Sequence, residues 1–306
     1  MSAEPKVLTK PSRPATVTPM APRRGRATAI DRPAVRRRTG RTLLVVGAIL
    51  LAFLFYAFVV TGLEESRSQR ALLPVFAAGV QSQSMDAMSK VLVPGSPVAM
   101  IESPSIGLHQ VVVEGSSPEL LKLGPGHLPN TPLPGEFGNS VVLGRRLTYG
   151  APFGRLDEMQ TGDSVTMVTG QGSFTYVVNH VGYVLPGQPD VTGPTLDSRL
   201  TLITAGPSLA PNTRFVVVAA LQGNPIGVPT RPSVAVAPDE FGQSGNVTGL
   251  LLAILWGLVL AALILLTVRI YRVWPVRAAY VVTTPAVILL LWLVFENLDR
   301  LLPGAL

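Results

Sequence analysis

The chain has 306 residues, 47% hydrophobic and only 14% charged, with a formal net charge of +7 and no cysteine. The missing cysteine excludes a disulfide, a thiolate metal site and any thiol nucleophile. The charge is not a nucleic-acid signature, because 11 of the 25 Lys and Arg lie in residues 1–41, beside only Glu4 and Asp31.

Residues 1–41 are rich in Pro, Arg, Thr and Ala and lack apolar periodicity, which predicts a disordered tail. Arg36-Arg37-Arg38 and Arg41 stand directly before the first apolar run, where they set a cytoplasmic N-terminus and meet anionic lipid headgroups. Residues 42–63 contain LLVVGAILLAFLFYAFVV, long enough at about 1.5 Å per residue to cross a bilayer as a signal-anchor. Residues 64–95 read as a juxtamembrane stalk, partly helical, interrupted at Pro74 and ending at Pro94-Gly95.

A stretch dense in short strands follows over residues 96–222: Val98–Ile101, Gln110–Glu114, Ser140–Leu143, Ser164–Val168, Phe174–Val184, Leu200–Thr204 and Arg214–Leu221. Two helical patches, Pro118–Leu123 and Phe153–Met159, interrupt them. Many short strands and few helices predict a mainly β domain, a closed barrel or a sandwich. Residues 223–247 form a Pro- and Gly-rich linker. A second apolar span at 248–268, an Arg-bearing loop at 269–278 and a third span at 279–296 follow, the last containing Pro285. Three spans with arginines at both cytoplasmic sites place the β domain and residues 297–306 outside the cell membrane. A lipid bilayer is therefore a partner. No metal-ligand cluster, phosphate-binding loop or cofactor motif is present.

Four blocks, in order, carry a family resemblance. They are Val98–Gly107 with Val111–Gly115; Gly124-Pro125-Gly126-His127-Leu128-Pro129; Gly138–Arg146 (GNSVVLGRR) with Gly150–Met159; and Leu200–Ala205 with Arg214–Val218. Together they resemble the sortases, the membrane-anchored cysteine transpeptidases of Gram-positive envelopes, and in particular the class E-like actinobacterial members. The resemblance implies an eight-stranded sortase-type β-barrel. It also implies a catalytic histidine at Arg145, a cysteine at Ala205 and an arginine at Arg214. Only Arg214 matches, so no catalytic set is intact. Such a chain is expected to be a pseudoenzyme: a scaffold or subunit of an envelope assembly that binds an envelope or membrane protein, or a peptide, without covalent chemistry.

Two alternatives stay open. One is a cysteine-independent transpeptidase or hydrolase using Thr204 or Ser208; the other is a regulator of an active sortase. A hydroxyl nucleophile needs a base, and the three histidines, His109, His127 and His180, all lie away from the catalytic position. If the barrel keeps its geometry, Arg145 and Arg214 flank the emptied pocket and form an anion or peptide site. The opposing reading pairs Arg145 with an acid such as Asp190 or turns it to solvent.

Overall fold

In a computed structural model, residues 44, 47–81, 92–185, 191–206, 213–227, 236, 240, 247–270 and 276–299 are described. The tail, Asp190 and Ser208 lie outside them, as do most of the linker and the C-terminal residues 300–306. Eight strands close a barrel: β1 (Pro97–Ser103), β2 (Leu108–Glu114), β3 (Gly126–His127), β4 (Asn139–Leu143), β5 (Ser164–Thr169), β6 (Gly172–Val184), β7 (Arg199–Ala205) and β8 (Arg214–Leu221), in the spatial order β1-β2-β3-β4-β7-β8-β6-β5. Seven were predicted as strands. The eighth, β3, has only two residues, too short for any periodicity, and it exists because β2 pairs with it in parallel on one side and β4 antiparallel on the other. The two helical patches shrink to single 3-10 turns, Leu120–Lys122 and Leu156–Glu158.

Alternation along the strands sorts side chains to two faces. Leu200 and Leu202 of β7 point into the barrel with Val142, Phe215, Val217 and Ala219, joining Ile101, Met167, Val165 and Tyr176 in one packed interior. Tyr176 buries its ring there and accepts a hydrogen bond from the Gly135 amide at 2.7 Å, while burial pushes its hydroxyl pKa up to about 12. Tyr176→Phe leaves that buried amide without an acceptor, so a loss of about 1–2 kcal/mol is expected in a thermal melt of the full-length protein.

The predicted stalk is not interrupted at Pro74. Helix α1 (Thr61–Gln81) continues through it and follows directly on a π-helical turn at Tyr56–Val60. Proline removes one backbone donor and crowds the preceding turn, and tertiary contacts hold the helix in place. Phe76 is buried against Val111, with Leu72, Val80, Met100 and Val168 around it. Gln69 completes the junction: its Nε2 donates to the carbonyls of Val111 (3.1 Å) and Leu123 (2.8 Å), and its Oε1 accepts from the Val111 amide (2.8 Å). The segment that reads as a spacer is thus packed on the barrel wall.

Two further helices follow the barrel, α2 (Val247–Ile270) and α3 (Val276–Asp299). Among the described residues, two helical stretches are long and apolar enough to cross a membrane, Gly47–Gln81 and Leu250–Arg269, with mean hydropathy 2.0 and 2.8. The third predicted span coincides with α3, a continuous 24-residue helix that passes through Pro285.

Candidate functional site

Strands β4, β7 and β8 are neighbours, and their register brings Arg145, Ala205 and Arg214, the three residues singled out in the sequence, to one edge of the barrel. Leu143 faces Ile203 in the parallel β4–β7 pair, and Ala205 faces Arg214 in the antiparallel β7–β8 pair. Arg145 follows β4 by two residues. Leu143, Ile203 and Val216 lie on the outer face with Val141, and Leu121 and Leu128 cover them. Val184, Val191, Val218 and Val236 pack around that patch. By the two-residue period, Ala205 and Arg214 belong to the same outer face as Ile203 and Val216. The residues of that patch form a closed apolar cluster, and Ala205 and Arg214 stand half-buried at its end, where they mark the candidate site.

Asn139, at the far end of β4, ties down the chain before β7. Its Nδ2 donates to the carbonyls of Val191 (2.9 Å) and Gly193 (3.0 Å), and its Oδ1 accepts from the Thr201 hydroxyl at 2.6 Å.

Ala205, where the resemblance leads one to expect a nucleophile, offers only a methyl group. Thr204 beside it is fully buried, and its hydroxyl donates to the Gly144 carbonyl at 2.8 Å. His127 is also fully buried, with Nδ1 2.7 Å from Glu114 Oε2 and Nε2 3.0 Å from both the Pro132 carbonyl and Thr131 Oγ1. Both ring nitrogens are engaged in holding β3, so this imidazole is a structural group. His109 lies 3.3 Å from Glu102 on the exposed face, and His180 is exposed on β6. No histidine is placed to activate Thr204.

Arg145 does not face this edge as an open cation. It is 2% exposed; Nη2 donates to the Pro118 carbonyl at 2.8 Å, and Nη1 donates to Thr148 Oγ1 at 3.0 Å. Its guanidinium lies over the Tyr149 ring, 4.5 Å from the centroid, and Nη1 is 3.9 Å from Asp299 Oδ1. Burial pulls its pKa below the ordinary guanidinium value, and Asp299 opposes that shift. The acid facing it is Asp299, 154 positions on, which no sequence spacing singles out.

Arg146 was also missed, although it adjoins Arg145 in sequence. Its Nη1 donates to the Ala205 carbonyl at 3.1 Å and its Nη2 to Asp157 Oδ2 at 2.6 Å, linking the ends of β4 and β7 to the 156–158 turn. Gly144 is required at this corner because a Cβ would lie 2.6 Å from the Phe153 ring. Among the described residues, no cluster of His, Cys, Asp and Glu could hold a metal ion.

The sortase domain model matches residues 101–222. Over 108 residues the chain is 30% identical to Sortase D of Bacillus subtilis (strain 168), an alignment covering 34% of this chain and 53% of that protein. The chain thus spans about half the length of the curated relative it matches. Similar solved structures include a Clostridium perfringens Sortase D5 transpeptidase, with 27% identity, TM-score 0.47, and coverage of 51% of this chain and 99% of that one. They also include sortase E from Streptomyces avermitilis, with 34% identity, TM-score 0.39, and coverage of 44% and 93%. The matched segment begins within β1 and ends one residue beyond β8, so the closed eight-stranded barrel is a sortase domain.

Proposed function

We propose that this protein is a membrane-anchored pseudo-sortase that binds an envelope protein or peptide segment non-covalently at the edge marked by Ala205 and Arg214. One observation carries the reading: the chain has no cysteine, and alanine stands where the resemblance expects the nucleophile. Thioester formation needs a thiolate attacking the substrate carbonyl, and no side chain here supplies one. In this reading an extended peptide lies across the half-buried edge at Ala205, and the Arg214 guanidinium carries a permanent charge toward its carbonyl oxygen or terminal carboxylate.

The anion site expected between Arg145 and Arg214 is carried in this reading by Arg214, because the Arg145 guanidinium is enclosed by Pro118, Thr148 and Tyr149. The Arg-rich tail and the apolar helices favour an arrangement with the N-terminus in the cytoplasm and the barrel outside. A peptide source on the outer face is consistent with that placement, and an envelope or membrane protein is the partner it serves.

The test uses full-length protein in detergent with fluorescent peptides carrying a sorting motif. Binding without cleavage is expected, with affinity falling about tenfold in Arg214→Ala, as for loss of one charge-assisted hydrogen bond. Cleavage that disappears in Thr204→Ala would establish instead the cysteine-independent enzyme. Absence of any binding would overturn the peptide-binding reading.

A further inference from the structure

We propose that Arg145 locks the barrel onto the C-terminal helix, so that the buried residues Arg145, Thr148 and Tyr149 of loop 145–151 and the adjoining ends of α1 and α3 form one interface. The inference does not depend on what the edge at Ala205 and Arg214 binds. It gives the position where the resemblance expects a histidine a different task, that of fixing the barrel to the apolar helices.

The contacts converge from three elements. Asp299, in the last turn of α3, is buried, and each of its oxygens faces a group from the barrel loop. Oδ1 is 3.9 Å from Arg145 Nη1, and Oδ2 accepts from the Tyr149 hydroxyl at 3.1 Å. The Tyr149 amide donates to Thr61 Oγ1 of α1 at 3.0 Å, and the Thr61 hydroxyl donates to the Ala57 carbonyl at 2.6 Å. One turn before Asp299, Phe295 packs its ring against Phe53 at 5.2 Å and Tyr56 at 5.8 Å, closing the apolar side of the junction. Tyr149 touches all three parts: it stacks on Arg145, donates to α3 and is held by α1.

The loop conformation fits this role. Tyr149, Gly150 and Ala151 have φ values of 49°, 73° and 48°, three successive residues in the left-handed region. Two of them carry a Cβ, an arrangement that persists only where surrounding contacts determine it. Arginine suits the site because it cannot lose its proton there. An enclosed guanidinium needs acceptors and countercharge: Thr148 and Pro118 accept hydrogen bonds from Nη1 and Nη2, and the Asp299 carboxylate adds an ion-pair contact at 3.9 Å. Glu64, Glu119 and Lys122 also border the junction, the first two adding negative field around Arg145 and the last lying 5.4 Å from the Tyr149 ring.

A purely local role for Arg145 inside the barrel would make loop 145–151 indifferent to a change at residue 299. Hydrogen exchange on the full-length protein in detergent separates the two. In Asp299→Asn, the amides of residues 145–151 are expected to exchange about tenfold faster, while those of β5 and β6 stay unchanged. Tyr149→Phe, which removes only the hydroxyl, is expected to act in the same direction. In a cycle of Arg145→Met, Asp299→Asn and the double variant, the double is expected to exchange less than the product of the single effects. Unchanged exchange of the loop in Asp299→Asn would overturn the proposal, as would multiplicative effects in the cycle. If Arg145→Met fails to fold, the two milder variants decide the matter alone.

Discussion

Glu114→Ala is expected to unfold the barrel at temperatures where the unsubstituted protein is fully folded. Glu114 and His127 are direct partners in the parallel pairing of β2 with β3, and their side chains meet at 2.7 Å with almost no exposure. Removing the carboxylate leaves a buried imidazole without its Nδ1 partner, a loss of about 3–5 kcal/mol. That is a large share of the stability of an ordinary domain. Glu114→Gln keeps an acceptor and is expected to cost less than half as much. The three tryptophans, Trp256, Trp274 and Trp292, all lie beyond the barrel, so indole fluorescence would not report on it. Circular dichroism in the β region, or hydrogen exchange of β2 and β4, is the appropriate measurement. A melting temperature of Glu114→Ala within 2 °C of the unsubstituted protein, roughly 1 kcal/mol or less, would show that the pair is dispensable.

The second large effect is expected at Gly126. A Cβ there collides with the Gly115 carbonyl oxygen and lies 3.0 Å from Leu121 Cδ2. The carbonyl belongs to backbone, which cannot turn aside as a flexible side chain would. Gly126 has no positive φ, so the demand for glycine is one of space alone, unlike Gly124 with φ +147°. Gly126→Ala is therefore expected to displace β3 and cost about 3 kcal/mol or more, beyond ordinary overpacking because the contact is with main chain. Two residues of β3 are all that join β2 to β4, so the displacement opens the closed barrel along that seam. Faster exchange of the Val113, Gly115 and Leu128 amides, which bond across this seam, is the expected signature. An unchanged pattern there would show that Gly115 can move away freely.

The architecture was legible in particular runs. PVAMIES, NSVVL, RLTLITA and RFVVVAAL carry β-branched residues in short stretches between turn residues, and each is a strand. The apolar 248–268 run is likewise a helix within α2. Gly124–Leu128 was legible as a motif but not as a strand, because two residues hold no period. Pro74 was read by its local rule, and packing of Phe76 and Gln69 on β2 prevailed over that rule.

The exclusion of thioester chemistry was decided by composition alone, since a chain without cysteine cannot form a thioester whatever its fold. Sequence also singled out Arg145 and Ala205, through the resemblance of the motifs around them. What Arg145 does instead was decided only by tertiary structure. Its partners Pro118, Thr148, Tyr149 and Asp299 are scattered over 182 positions. Burial of an arginine depends on acceptors that the fold gathers from distant elements, and no local pattern encodes that convergence.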